Sequence, residues 1–291
     1  MGLVDTSYQP WNGDFLGRPY RIGALARSGL KLAFVGIFTR LTLLMIYGIV
    51  VSLIGFLYLA ASINMSRGYS IGNGVYSWYT NSGPYGLLLM LLTAMVGSRL
   101  ISRDLKYNAT AMYFSKSITA LDYVTGKFSV IAAFLVSATF VPSFALWIGV
   151  YAMGADPCGW GDRLRDLVAI TAHSAVIIVP TSAIILALSS MSRTAYLPGV
   201  LYTFLYFGSQ IAGEILDHRV TKPWTKLVSL QNLTAHLGNL CYKERHGSIP
   251  QFRIEEVMEY GWRGPAAILA AVTAASFAVV FWRLRKFEGN E

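Results

Sequence analysis

The stretch LTLLMIYGIVVSLIGFLYLAASI, residues 41–63, decides the fold class of this protein. It contains no charged side chain. A helix of about 20 predominantly apolar residues is long enough to cross the hydrocarbon core of a bilayer. The stretch therefore predicts a membrane-spanning helix.

The rest of the sequence has the composition of a membrane protein. Of its 291 residues, 54% are hydrophobic and 13% are charged, whereas charged residues make up about 25% of a typical soluble domain. Six stretches are apolar over a spanning length: 41–63, 84–101, 128–151, 167–188, 196–216 and 265–282. Backbone groups in lipid must be paired within the membrane, and the alternating pattern of a barrel is absent from these runs. We therefore expect an all-α membrane protein, a bundle of six transmembrane helices.

The basic residues give the orientation of this bundle, because cytoplasmic loops of membrane proteins are enriched in Lys and Arg. One set of alternate segments holds most of them: Arg18, Arg21, Arg27, Lys31, Arg40, Arg99, Arg103, Lys106, Lys116, Lys127, Arg193, Arg283, Arg285 and Lys286. The short loops of the other side hold Arg67, Arg163 and Arg165. This asymmetry predicts a multi-pass protein of the inner (cytoplasmic) membrane with both termini in the cytoplasm. It also accounts for the net charge of +9, so a nucleic-acid partner is not expected.

Two segments outside the spans have amphipathic patterns. Residues 1–40 form a cytoplasmic N-terminal segment in which 20–38 predict a helix lying in the inner interface; the alternative is an extension of the first span. The expected six-span domain, 41–291, includes an outer loop, 217–264, whose apolar residues recur every three or four positions: Trp224, Leu227, Leu230, Leu233, Leu237 and Leu240. They predict a helix over the outer mouth of the bundle, either a plain lid or a gate.

The two cysteines, Cys158 and Cys241, both fall in loops assigned to the outer side. A disulfide between them is possible if that side is oxidising. Two unpaired thiols are the alternative.

The loop between the second and third spans, SRDLKYNATAMYFSKSITALDYVTGKF at 102–128, is longer than a tight connection needs. Leu105, Ala109 and Met112 have helical spacing, which predicts a short amphipathic helix. Thr119 and Asp122 then form a capping-box pattern that starts a new helix. A short helix joined to two spans could act as a lever on them; a solvated surface helix without a partner is the alternative.

This loop resembles that of ABC-2 type permeases, the transmembrane subunits of a class of ABC transporters. The family pattern is kept at eight positions: Asp104, Tyr113, Ser115, Ile118, Thr119, Tyr123, Gly126 and Lys127. The sequence departs from it at Ser117, where the family usually has proline, and at Ala120, where a basic residue is common. The resemblance extends to the six-span plan and to the interfacial N-terminal helix.

The resemblance implies that the loop is a cytoplasmic coupling helix that docks on an ATP-binding-cassette ATPase. The residues expected to meet that ATPase are Arg103, Asp104, Tyr107, Met112, Tyr113, Lys116 and Asp122. It further implies a second permease subunit, identical or not, and an exporter. No catalytic residue, metal or cofactor is expected in this chain, with ATP and Mg²⁺ on the partner ATPase. Accordingly, Gly126-Lys127 does not form a P-loop, since Leu121 stands where its first glycine belongs.

The sequence leaves three other function classes as alternatives. A secondary transporter needs ionisable groups at membrane depth, and His173 is the one candidate inside a predicted span. A membrane-embedded metallohydrolase could use a site at the outer end of the fifth span, with candidate ligands Glu214, Asp217, His218, His236 and His246; the usual paired-histidine motif is missing. A membrane anchor for a larger envelope assembly is the third alternative.

Overall fold

The structure is a computed structural model that describes residues 17–64, 75–76, 83–114, 118–152, 154, 159–220, 223–242 and 261–288. Within these residues the chain is all-helical, as predicted, and forms no strand. The elements are α1 (Arg18–Phe34), α2 (Ile37–Asn64), α3 (Gly83–Lys106), α4 (Ala109–Phe114), α5 (Ala120–Ala152), α6 (Trp160–Met191), α7 (Leu197–Val220), a 3-10 helix (Pro223–Val228), α8 (Leu230–Leu240) and α9 (Arg263–Glu288).

In this part of the chain, five helices are long and apolar enough to cross a membrane: α2, α3, α5, α6 and α9. The fifth predicted span, 196–216, is also a helix, α7, and it has 24 residues. Its composition is more polar, because Gln210, Glu214 and Asp217 fall within it. The predicted count of six spans therefore has five clear members.

Helix α6 lies at the centre of the bundle and packs against α3, α5, α7, α8 and α9. At its contact with α3, Gly97 lies against Ile185 so tightly that a Cβ at position 97 would overlap the Ile185 side chain. Beside this contact the Ser189 hydroxyl accepts hydrogen bonds from the backbone N–H groups of Ile101 (3.1 Å) and Ser102 (3.0 Å). Small residues thus allow α3 and α6 to approach closely, a common device in membrane helices.

Helix α5 contains Pro142, whose missing N–H leaves the Ala138 carbonyl without its usual donor within the helix. The Tyr85 hydroxyl of α3 donates a hydrogen bond to that carbonyl. Nearby, the Tyr47 hydroxyl of α2 donates to the carbonyl of Ser137 over 2.8 Å. A neighbouring helix therefore supplies the donor that proline removes, which is why proline is tolerated in such helices.

The N-terminal segment forms a helix of its own. Helix α1 ends at Phe34 and α2 begins at Ile37, so α1 is not a continuous extension of the first span. It packs against α5, where Gly126 lies against Leu25 and Gly29 against Val130. This contact holds α1 beside the first turns of α5.

The outer amphipathic segment is two elements instead of one. It breaks at Ser229, whose hydroxyl accepts a hydrogen bond from the N–H of Asn232 (3.3 Å) and caps α8. Helix α8 then packs against α6, with Gly238 directly against the ring of His173. Because His173 lies near the middle of α6, α8 packs against the side of that helix.

Candidate functional site

The segment 102–128 folds as two helix ends joined by a short helix. Helix α3 ends at Lys106, Asn108 adopts a positive φ of 52°, and α4 runs from Ala109 to Phe114. Asn tolerates this left-handed conformation better than most residues, so it can turn the chain between two helices. Residues 115–117, which include Lys116, lie outside the described part of the chain.

The start of α5 has the predicted capping box. The N–H of Asp122 donates to the Thr119 hydroxyl (3.3 Å), and the N–H of Thr119 donates to the Asp122 carboxylate (3.4 Å). Two N–H groups that a helix start leaves unpaired are satisfied in this way. The pattern read from the sequence therefore marks the true beginning of α5.

Four side chains join α3, α4 and α5, and we call them the Asp104 cluster: Asp104, Tyr113, Tyr123 and Lys127. The Asp104 carboxylate forms an ion pair with the Lys127 ammonium at 2.7 Å and accepts a hydrogen bond from the Tyr123 hydroxyl, also at 2.7 Å. The rings of Tyr113 and Tyr123 lie 5.7 Å apart. Burial and the nearby Asp104 carboxylate raise the pKa of Tyr113.

The Asp104 cluster is largely shielded from solvent, with the side chains of Asp104 and Lys127 only 16% and 9% exposed. Breaking such a buried pair from one side leaves an uncompensated charge, which typically costs about 3–5 kcal/mol. The cluster therefore fixes the position of α4 and of the first turns of α5 relative to α3.

The second acidic residue of the segment, Asp122, is also engaged inside the protein. The Arg18 guanidinium donates to its carboxylate, whose side chain is 5% exposed. This ion pair joins the first residue of α1 to the start of α5. A fourth element is thereby attached to the segment.

These contacts change the expected roles of the predicted ATPase-contact residues. Asp104, Tyr113 and Asp122 point toward the bundle, so they hold the segment in place instead of forming its outer surface. Tyr107 and Met112 are 68% and 57% exposed. Replacing Asp104 with arginine would place two cations side by side in the cluster and would disrupt the fold.

Other residues of the segment are exposed as well. Lys106 is exposed, and Arg103 is half-exposed. The sequence reading missed Leu121, which is exposed although it is apolar. The sequence did contain a signal for this exposure. Leu121 and Thr125 are four residues apart, so they share the face of α5 that is turned away from Tyr123 and Lys127.

The remaining predicted sites are not assembled in the described residues. Cys241 is half-buried, its thiol donates to the Leu237 carbonyl (3.3 Å), and burial raises its pKa. Cys158 lies outside the described residues, so the disulfide stays a prediction.

Two of the candidate metal ligands are held by other contacts, and Glu214 and His218 are exposed. Asp217 accepts a hydrogen bond from the Thr225 hydroxyl (3.0 Å), and a ring nitrogen of His236 lies 3.4 Å from the Gly261 carbonyl oxygen. His246 lies outside the described residues. Within the part of the chain that the structure describes, no three His, Cys, Asp or Glu side chains are grouped to hold a metal ion.

His173, the candidate for ion coupling in the fourth predicted span, is packed as a core residue. It is buried, its Nδ1 lies 3.2 Å from the Tyr242 hydroxyl, and the two rings meet edge to face. The backbone at Gly238 covers its other nitrogen. These contacts favour a role in packing α8 onto α6.

Comparison with known proteins adds no relative to this picture: no family model and no curated protein sequence matches the chain.

Proposed function

We propose that this chain is the permease subunit of an ATP-driven transporter of the ABC-2 type, and that the segment 102–128 receives mechanical work from a separate ATPase. The observation that carries the proposal is the way α4 is held. It is a short helix between two long ones, fixed to them by the Asp104 cluster, and it exposes Met112. A force applied to α4 would be transmitted to both α3 and α5.

The proposal includes six membrane crossings, with α7 as the fifth. Its 24 residues give a length of about 36 Å, which exceeds the roughly 30 Å of bilayer hydrocarbon. It also packs lengthwise on α3, with Gly199 against Ala94 and Tyr206 against Gly86. Six crossings put both termini on one side, and the basic residues assign that side to the cytoplasm of the inner membrane.

The partners follow from the same proposal. The cytoplasmic ATPase supplies the site for ATP and Mg²⁺, and a second permease subunit completes the transport path across the lipid bilayer. The chain itself then performs no catalytic step. Its part is to alternate between inward-open and outward-open arrangements, with export as the expected direction.

The test is whether the exposed side of α4 is needed to retain an ATPase. The protein is purified from its native membranes as wild type and as Met112→Glu, and the ATP hydrolysis that copurifies is measured. Leu164→Glu is the matched control. Leu164 is also an exposed apolar residue, but it lies near the start of α6, at the end of the bundle away from α4. We expect Met112→Glu to lose the copurifying hydrolysis while its melting temperature stays unchanged.

Equal hydrolysis in wild type and Met112→Glu would count against this surface as the docking site. Absence of hydrolysis from all three preparations would count against the ATPase partner itself.

A further inference from the structure

A long apolar groove runs between α3 and α7. It encloses about 500 Å³ and is open to the outside of the bundle. Its walls are Ala94 and Met95 of α3 and Val200, Phe204, Phe207 and Ile211 of α7. Phe204 is 72% exposed, so the groove has no cover within the described part of the chain.

One end of the groove carries a positive charge. Arg99 lines it next to Tyr196, with the guanidinium carbon 5.2 Å from the centre of the Tyr196 ring. Arg99 is exposed and forms no ion pair with a described carboxylate. Its positive charge therefore remains available to a ligand.

A second cavity meets the groove at Met95 and Arg99, on the side of α3 that faces α1 and α2. It is lined by Arg103, Lys127 and Asp104 as well. Because Asp104 is neutralised by its ion pair with Lys127, Arg99 and Arg103 give this region a net positive charge. The apolar groove and the two arginines are thus continuous along one face of α3.

The dimensions of the groove fit a single acyl chain. Tyr196 and Ile211 lie at opposite ends of its wall on α7, and a helix rising 1.5 Å per residue places them about 22 Å apart. One leaflet contributes about 15 Å, half of the roughly 30 Å hydrocarbon core. The acyl chain of a lipid in one leaflet could therefore lie in the groove over the full depth of that leaflet.

We propose that this groove binds an anionic phospholipid, with one acyl chain between α3 and α7 and the phosphate on Arg99, beside Arg103. A guanidinium forms strong, charge-assisted hydrogen bonds with phosphate oxygens. Basic pockets between membrane helices are a known form of anionic-lipid site. The inference goes beyond the transport function and does not depend on it.

A second protein copy is the other conceivable occupant of an apolar face. Burying Arg99 in a protein interface without a carboxylate would leave an unpaired charge in an apolar setting, which is costly. The exposed rings along the groove are apolar and offer no such carboxylate. A phospholipid supplies both the chain for the groove and the anion for its end.

The test measures lipid binding to the full chain in detergent by native mass spectrometry, with phosphatidylglycerol and phosphatidylcholine of the same acyl chains. Arg99→Gln removes the headgroup contact. Gly208→Leu fills the groove, and a Cβ at position 208 meets no atom within 4 Å, so the fold tolerates the change. Arg165→Gln is the charge-matched control, because Arg165 is exposed near the opposite end of α6.

We expect phosphatidylglycerol to bind more tightly than phosphatidylcholine. Arg99→Gln and Gly208→Leu should each weaken its binding by about tenfold, the loss expected for one charge-assisted contact or for a blocked chain. Arg165→Gln should leave it unchanged, and inorganic phosphate should not compete.

Three results would overturn the proposal. Equal binding of the two lipids would show no headgroup preference. If inorganic phosphate competed with phosphatidylglycerol and Gly208→Leu did not change its binding, the site would bind an anion alone and no acyl chain. A change of oligomeric state in Gly208→Leu, with phosphatidylglycerol binding intact, would show that a second copy covers the groove.

Discussion

Single polar side chains stabilise this apolar bundle where the helix backbone is incomplete. The Tyr85 hydroxyl donates to the Ala138 carbonyl, which Pro142 leaves without a helix donor. In contrast, the Ser137 carbonyl that accepts from Tyr47 can also accept from the helix N–H of Val141. The two tyrosines therefore make hydrogen bonds of different importance.

Replacing Tyr85 with phenylalanine should lower the free energy of unfolding by about 1–3 kcal/mol, because a buried carbonyl loses its donor. Tyr47→Phe, the matched control, should cost less than about 1 kcal/mol. Thermal unfolding of the two variants in the same detergent checks the order. Equal effects would mean that the Ala138 carbonyl finds another donor.

The Asp104–Lys127 ion pair is the other decisive feature at this scale. Asp104→Asn should destabilise the protein by about 3 kcal/mol, because it leaves the Lys127 charge buried and unpaired. The double variant Asp104→Asn with Lys127→Met should recover much of that loss, since both charges are then gone. Lys106→Gln, at an exposed position, should change stability by no more than about 0.5 kcal/mol.

Thermal unfolding of Asp104→Asn, Lys127→Met, the double variant and Lys106→Gln gives the coupling energy of the pair. Additive effects of the two substitutions would contradict the ion pair. A large effect of Lys106→Gln would contradict the exposed position of that side chain.

At the scale of elements, the contact between α8 and α6 depends on one glycine. Gly238 lies against the His173 ring, whereas Gly208 in α7 has open space around its missing side chain. Gly238→Ala should therefore destabilise the protein, because the methyl group and the ring would occupy the same space. Gly208→Ala should be neutral or stabilising by up to about 1 kcal/mol, since alanine favours helix.

Melting temperatures of these two alanine variants provide the comparison. If Gly238→Ala were as stable as Gly208→Ala, α8 would not be packed on α6 as described.

Some helices of this protein could be predicted from the sequence, and their contacts with one another could not. Long apolar runs located α2, α3, α5, α6 and α9, because lipid selects for length and hydropathy, which are local properties. The capping box located the start of α5 for a similar reason, since its two partners are three residues apart. Local patterns of this kind need no knowledge of packing.

The packing of distant segments against each other could not be predicted from local sequence patterns. The ion pair between Asp104 and Lys127 requires α3 and α5 to meet, and that between Arg18 and Asp122 requires α1 to return to α5. Sequence reading therefore placed Asp104 and Asp122 on the outer surface. It also joined the 3-10 helix and α8 into one element, because leucines three and four residues apart fit either arrangement.

At the scale of the whole molecule, α7 determines the topology. If α7 crosses the membrane, its two ends lie on opposite sides. Arg193, just before α7, and Arg219, near its end, are both exposed. Single cysteines at these positions, in a variant with Cys158 and Cys241 replaced by serine, should react with an impermeant reagent from opposite sides of sealed vesicles.

Reaction of both cysteines from the same side would show that α7 does not cross. The structure would then have five crossings, and its termini would lie on opposite sides of the membrane.

The proposed function requires that α4 meets a cytoplasmic ATPase. To test this contact, a photo-reactive amino acid is placed at position 112 and activated in native membranes. The control carries the same group at position 160, because Trp160 is exposed at the start of α6, away from α4. We expect a covalent adduct between position 112 and a P-loop ATPase, and none from position 160. An adduct from position 112 with lipid alone, or an ATPase adduct from position 160, would contradict it.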